Sequence, residues 1–372
     1  MILLLHNRYR ASGGEERVVE QLSRLLPREL GEDVELLQRD SGSAGQLTAA
    51  AGLLRGGLHP DEVGEAVRRT GARVVHAHNV HPQLGWRSLQ AARDAGARTV
   101  LHLHQYRLVC AVGTCLDPEG QDCTRCHGRD TRPGLRLRCR GSGVEAAVYA
   151  AALAGWSARL VAEADALVAP SAFAVARLRQ MGAPLDGREV HVVANPVPVP
   201  ELVASPQCGT YALFAGRLSR DKGVDVAIEA CALAGVPLVI AGNGPEEATL
   251  RAFADRRGGE VRFAGWAADG ELAQLRAGAA LAIVPSRFAE TFGLACAEAM
   301  AAALPVAASS IGALTDLLPA GHLASPGDAE PLANLVRRLW GDAEAGRRNA
   351  AFIASHAAPR EVARKLAAIY DG

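Results

Sequence analysis

The chain has 372 residues, 49% of them hydrophobic, and its 40 basic and 40 acidic side chains cancel to a formal net charge of zero. Such a length suits two domains with sizeable cores, and the absent basic excess argues against nucleic acid as the main partner. The opening MILLLHNRYR has no basic region and too short an apolar run for a secretory leader, and no run of 18 apolar residues reads as a membrane span.

The expectation is therefore a cytoplasmic protein with at most peripheral membrane contact, in which clustered cysteines serve something other than disulfides. Only two of the 40 basic residues are lysines, Lys222 and Lys365, so each stands where arginine is otherwise the default.

Short apolar runs predict strands at 1–6, 33–38, 72–78, 98–104, 165–169 and 189–194, then at 210–215, 236–241, 260–264, 280–284 and 304–308. Alanine-rich helical stretches separate most of them. This alternation predicts an α/β fold of two doubly wound parallel sheets, whose ligands sit beyond the C-terminal ends of the strands.

After the first strand, Gly13 and Gly14 open a helix, where free amides suit a phosphate; a tight turn explains them equally. His6, His76, His78, His81, His102 and His104 cluster at strand ends. His76 and His102 are expected in the core, bonded to backbone. The two H-x-H pairs also permit a metal if a further ligand converges on them.

Residues 107–141 are a polar insert with five of the eight cysteines. Cys110, Cys123, Cys126 and Cys139 flank a C-x2-C core symmetrically, the pattern of a structural zinc site, with Cys115 and His127 in reserve. Six arginines between Arg125 and Arg140 stand against one acid, Asp130. They suit an anionic acceptor or a lipid surface, or are simply solvated. The helical stretch 144–156 reads as core packing rather than a membrane-surface face.

The proline-rich segment 195–209 reads as a linker. Beyond it, FAGRLSRDKGVD places Arg217 and Lys222 with Gly216 in a strand-to-helix loop, a combination suited to a diphosphate. Gly242, Asn243 and Gly244 follow the next strand, and Gly265 and Trp266 the one after. In AETFGLACAEAM, Glu290 precedes a helix start formed by Phe292, Gly293 and Leu294, and Glu298 lies inside it. Carboxylates are seldom buried without partners. The hydroxyls of a nucleotide sugar are the expected partners of both acids, with the helix start holding its phosphate.

The phrase PSRFAETFGLACAEAMAAALPVAAS resembles the E-x7-E signature of family 4 retaining glycosyltransferases. GRLSRDKG, GNGPEE, VRFAGW, the early GGEE loop, LHLHQYR and the NP near residue 195 follow in the expected order. The resemblance implies the GT-B fold, two Rossmann-like domains facing across a cleft. It divides the chain into an acceptor-side domain at 1–195 carrying the insert, a nucleotide-sugar domain at 196–355, and a terminal helix at 356–372 crossing back.

It also implies roles. Gly13 and Gly14 would touch the donor phosphate or sugar, and His104 the donor sugar beside the reacting centre. Arg217 and Lys222 would neutralise the diphosphate without a metal. Glu290 would hold sugar hydroxyls, Glu298 the ribose, and the backbone near Trp266 the base. Two positions depart from the family pattern: Leu304 replaces a glycine, and IGALTD puts Asp316 in a glutamate's place.

The leading expectation is retaining transfer from a nucleotide-diphosphate sugar, its base and sugar open, to a hydroxyl on a small-molecule, glycan or glycolipid acceptor. A nucleotide-sugar epimerase is the alternative. A zinc-dependent hydrolase using the histidines, and a metal-stabilised binding module, are weaker ones.

Overall fold

In the structure, a computed structural model, residues 1–9, 13–42 and 45–372 are described. The chain forms two compact units. One comprises Met1–Glu119, Cys123–Pro196 and Arg360–Gly372, the other Gly120–Asp122 and Val197–Pro359.

In the first unit, strands β1 (Ile2–Arg8), β2 (Val34–Asp40), β3 (Val74–Ala77), β4 (Arg98–His102), β5 (Ala166–Ala169) and β6 (Val190–Val192) pair in the order β2-β1-β3-β4-β5-β6. Every pairing is parallel. Side chains alternate faces along a strand. Ile2, Leu4, Val74 and Val100 accordingly share one face, where they pack with Val18 and Leu22 of helix Gly14–Leu30. The terminal helix Pro359–Asp371 packs there too, through Val362, Ala363, Leu366, Ile369 and Tyr370. Further along, the same alternation turns from aliphatic residues to His6, His76, His78, His102 and His104, all buried.

In the second unit, β7 (Tyr211–Ala215), β8 (Leu238–Ala241), β9 (Val261–Gly265), β10 (Ala279–Val284), β11 (Val306–Ser309) and β12 (Leu323–Ala324) pair in the order β12-β11-β10-β7-β8-β9. The direction of winding reverses between β7 and β10. Such a switch point leaves a crevice beyond the strand ends where α/β sheets take their ligands. Every strand expected from sequence is present, trimmed or shifted at its ends. β12 was not expected, because two residues are too few to set up an alternation. Among the described residues no helix is long and apolar enough to cross a membrane.

Candidate functional site

The loops after β7 and β10 flank the switch point, and they carry Lys222 and Glu290. Lys222 ends a single 3-10 turn, Arg220–Lys222, and Gly223 behind it adopts φ 65°. A Cβ on Gly223 would lie 2.1 Å from the Pro285 carbonyl oxygen, so glycine alone lets the two loops approach this closely. The approach brings Lys222 Nζ to 2.7 Å from Glu290 Oε1, which also accepts from Ser286 Oγ at 2.7 Å. Lys222 lies 4.5 Å from the Phe288 ring centre as well. Arg287 clamps the loop after β10 to helix Val224–Ala234 with two 2.7 Å bonds to Asp225. Glu290 is braced from behind by Ala313, whose amide donates to its carbonyl at 2.8 Å.

Glu298 sits in helix Leu294–Ala301, one turn from its start at Gly293, and is buried. Its side chain pairs with Arg276 of helix Asp269–Ala277. Both acids thus have partners within the protein, which the sequence did not reveal, in addition to the sugar hydroxyls expected of them. Each carboxylate already has a cation from the protein, because burying a lone charge is costly whether or not a ligand is bound. Arg276 carries no motif, and nothing in its sequence context singles it out; Ser286, by contrast, lies in the PSRFAE phrase.

The other expected donor contacts lie in the loops after β7, β8, β9 and β10 of the same unit. Arg217 is exposed in the loop after β7. Gly216 and Asn243 help stack the loops after β7 and β8: the Gly216 amide donates to Ala241, and the Leu218 amide to the Asn243 carbonyl at 2.8 Å. The stacking is tight, since a Cβ on Gly242 would meet the Gly216 oxygen at 1.9 Å and one on Gly244 the Leu218 oxygen at 2.3 Å. These residues therefore have a packing reason besides any ligand. Phe292 is buried, Gly293 caps the helix with φ 84°, and Leu294 is its first residue. Trp266 is exposed.

In the first unit, Gly13 and Gly14 do open a helix, yet the Gly13 amide donates to Glu16 Oε2 at 2.8 Å and the Tyr9 amide to Glu16 Oε1 at 3.0 Å. A carboxylate of the chain thus holds an amide expected to meet phosphate; Arg10, Ala11 and Ser12 lie outside the described residues. Burial works against Glu16 ionisation, but the His6 side chain and these amides outweigh it and hold the carboxyl at about 2. Neighbouring Glu15 is shifted upward by burial and accepts from the Tyr9 hydroxyl at 2.7 Å.

His104 is buried, with Nε2 at 2.8 Å from His78 Nδ1. Burial and the neighbouring imidazoles depress it to about 3. The expectation that His76 and His102 bond to backbone is corrected. His76 Nδ1 lies 2.7 Å from the Tyr370 hydroxyl, and neither His102 nitrogen has a hydrogen-bond partner in the protein. The parallel ladders already engage the backbone groups beside them. An unsatisfied buried polar group costs about 1–3 kcal/mol.

In the insert, Cys110, Cys115 and Cys126 are buried, and Cys123 and Cys139 are half-buried. Hydrogen bonding from Cys115 leads the causes that draw Cys110 down to about 6, joined by the backbone amides of Gly113, Cys115 and Val112 against the opposing effect of burial. Such a nest of donors around sulfur suits a thiolate metal ligand. Burial drives Cys126 up to about 11, with Cys110, Cys123 and Cys139 near enough to add to the effect. Among the described residues, the set whose candidate ligand atoms all lie within 4.8 Å of one another is His76, His78 and His102, not the cysteines.

Residues 203–353 match the family model described as glycosyl transferases group 1. The chain is 34% identical over 149 residues to a phosphatidyl-myo-inositol mannosyltransferase of Mycobacterium leprae, covering 38% of this chain and 40% of that protein. It is 33% identical over 205 residues to a glycogen synthase of Mycobacterium tuberculosis, covering 51% and 49%. The chain thus spans about half or less of the length of these curated relatives. Among solved structures, sucrose-phosphate synthase from Thermosynechococcus elongatus aligns with a TM-score of 0.70 at 19% identity, over 100% of this chain and 98% of that one. Anabaena Alr3699/HepE in complex with UDP-glucose aligns with a TM-score of 0.66 at 19% identity, over 100% and 99%. At these identities the likeness carries the fold: two Rossmann-like units of the GT-B class.

Proposed function

We propose that the chain is a retaining glycosyltransferase that moves a sugar from a nucleoside diphosphate to a hydroxyl acceptor. The observation that carries this reading is the Lys222–Glu290–Ser286 constellation at the switch point of the second unit. It falls within the residues that match the glycosyl transferases group 1 model.

Glu290 Oε1 is occupied by Lys222 and Ser286, which fixes the carboxylate and leaves Oε2 to accept from sugar hydroxyls. Lys222 is then a positioned cation. On donor binding it bridges Glu290 and the diphosphate, and it stabilises the charge that develops on the leaving group. Arg217, exposed in the same loop, supplies the second positive charge. The leaving phosphoryl oxygen takes the acceptor's proton, so no side-chain base is required. Glu298, oriented by Arg276, accepts from the ribose diol.

His104 is assigned as a neutral imidazole, since burial and the neighbouring imidazoles depress it to about 3 and keep it uncharged at working pH. Two relatives described above are named as a mannosyltransferase and a glycogen synthase, and one solved neighbour was crystallised with UDP-glucose. A glycan or glycolipid hydroxyl is accordingly the proposed acceptor class. For the insert we propose a structural zinc on Cys110, Cys123, Cys126 and Cys139, supported by the donor nest around Cys110.

The deciding experiment is a screen of UDP- and GDP-sugars for thermal stabilisation and slow hydrolysis, run on the wild type and on Glu290→Gln. One donor should stabilise both proteins and be turned over only by the wild type, with the anomeric configuration of the released sugar read by NMR. No stabilisation by any donor, or inversion at the anomeric carbon, would overturn the reading.

A further inference from the structure

We propose that His76, His78 and His102 form a second metal site, inside the first unit, that takes a borderline divalent ion such as zinc through imidazole nitrogen alone. The placement comes from the sheet. β3 and β4 pair with His76 opposite Val100, and continuing that register sets His78 beside His102 on one face. All three side chains are buried, with residue exposures of 0, 3 and 4%. One nitrogen from each lies within 4.8 Å of the others.

The hydrogen bonds select which nitrogens are left over. His76 Nδ1 faces the Tyr370 hydroxyl at 2.7 Å, and His78 Nδ1 faces His104 Nε2 at 2.8 Å. If both Nδ1 atoms carry the proton and donate it, both Nε2 atoms present lone pairs, and neither Nε2 has a hydrogen-bond partner in the protein. His102 has a partner at neither nitrogen. Metal-binding histidines are prepared in this way, one ring nitrogen engaged by an outer partner and the other turned to the ion. Burial also keeps all three imidazoles neutral, the state that coordinates.

The competing arrangement is a stacked column without an ion, for the His76 and His102 rings are nearly parallel at 5.4 Å. Zinc–nitrogen bonds of about 2.0–2.1 Å would draw the three nitrogens closer by roughly an ångström. Tyr370, brought in by the terminal helix, is then a positioning residue for His76. The site is independent of the transfer reading, because its test measures no activity.

The experiment is a cobalt(II) titration of untagged, chelator-dialysed protein, read by absorption. Thiolate ligands on the insert announce themselves by sulfur-to-metal charge transfer in the near ultraviolet; an all-imidazole site adds only visible ligand-field bands. Wild type should bind one equivalent without the charge-transfer signature, whatever the insert binds. His102→Asn should remove that equivalent and leave any charge-transfer band intact. Tyr370→Phe, a milder change, should weaken it about 10–100-fold. Cobalt bound only with charge transfer, or both variants binding as wild type does, would establish the stacked column and overturn the proposal.

Discussion

At the scale of single residues, the two acids of the E-x7-E phrase differ in what holds them. Glu290 shares a part-exposed lysine, whereas Glu298 and Arg276 have side chains only 7% and 13% exposed. Removing Lys222 should therefore act on chemistry more than on stability. Lys222→Ala is expected to lower kcat by about 10²–10³-fold, the usual effect of deleting one electrostatic stabiliser, with its folding midpoint close to wild type. Steady-state kinetics with the donor selected by the nucleotide-sugar screen check this. Arg276→Ala should do the reverse first. It takes the Arg276 cation away from a buried carboxylate and should cost about 3–5 kcal/mol in chemical denaturation, and Arg276→Met with Glu298→Gln should recover a large part of that. Equal loss in the single and double variants would refute the pairing.

At the scale of elements, the phrases legible in sequence were those where a turn, a glycine and a charge stand together. FAGRLSRDKG and PSRFAETFG are of that kind, and both lie at strand ends of the second unit. The sequence could not say that these loops meet, since β7 and β10 are neighbours only in the folded sheet. Gly223 is where they touch. Gly223→Ala should cost about 1–2 kcal/mol from its left-handed backbone alone, and more from the contact with Pro285. Because it moves the lysine away from Glu290, it should also lower kcat. Unchanged stability and rate together would mean that the close approach is not essential. The first unit was harder to read. That Glu16 holds the Gly13 amide follows from how the helix is capped, and an identical GGEE string in another loop would not imply it.

At the scale of the whole molecule, the terminal helix and the histidines decide stability in the first unit. Deleting 360–372 removes Val362, Leu366, Ile369 and Tyr370 from its core. Large-to-small changes at single core sites cost about 2–5 kcal/mol each, so the truncated chain should lose the first unit's cooperative unfolding in calorimetry. The histidines impose a pH dependence. His76 and His104 are depressed to about 3, and His78 and His102 lie well below the usual 6.5, chiefly through burial. Below pH 6.5 the unfolded chain binds protons that the folded unit refuses. Stability is therefore fully present above pH 6.5 and falls as the pH drops towards 3, by up to about 1.4 kcal/mol per histidine per pH unit. Thermal unfolding of the chelator-dialysed, metal-free protein between pH 7.5 and 5 should track this, and a flat profile there would place these imidazoles in contact with solvent.

From sequence alone came the α/β class, the parallel strands and the loops that carry charge. Each of these is local: an apolar run has its own period, and a glycine beside a cation at a strand end is visible in a dozen residues. Tertiary structure alone decided that Lys222 meets Glu290, that Arg276 neutralises Glu298 and that Tyr370 reaches His76. Those partners are separated by 68, 22 and 294 positions. A buried charge or imidazole must find a partner, but sequence periodicity says only that it is buried, and the register of the sheets determines which partner lies within reach.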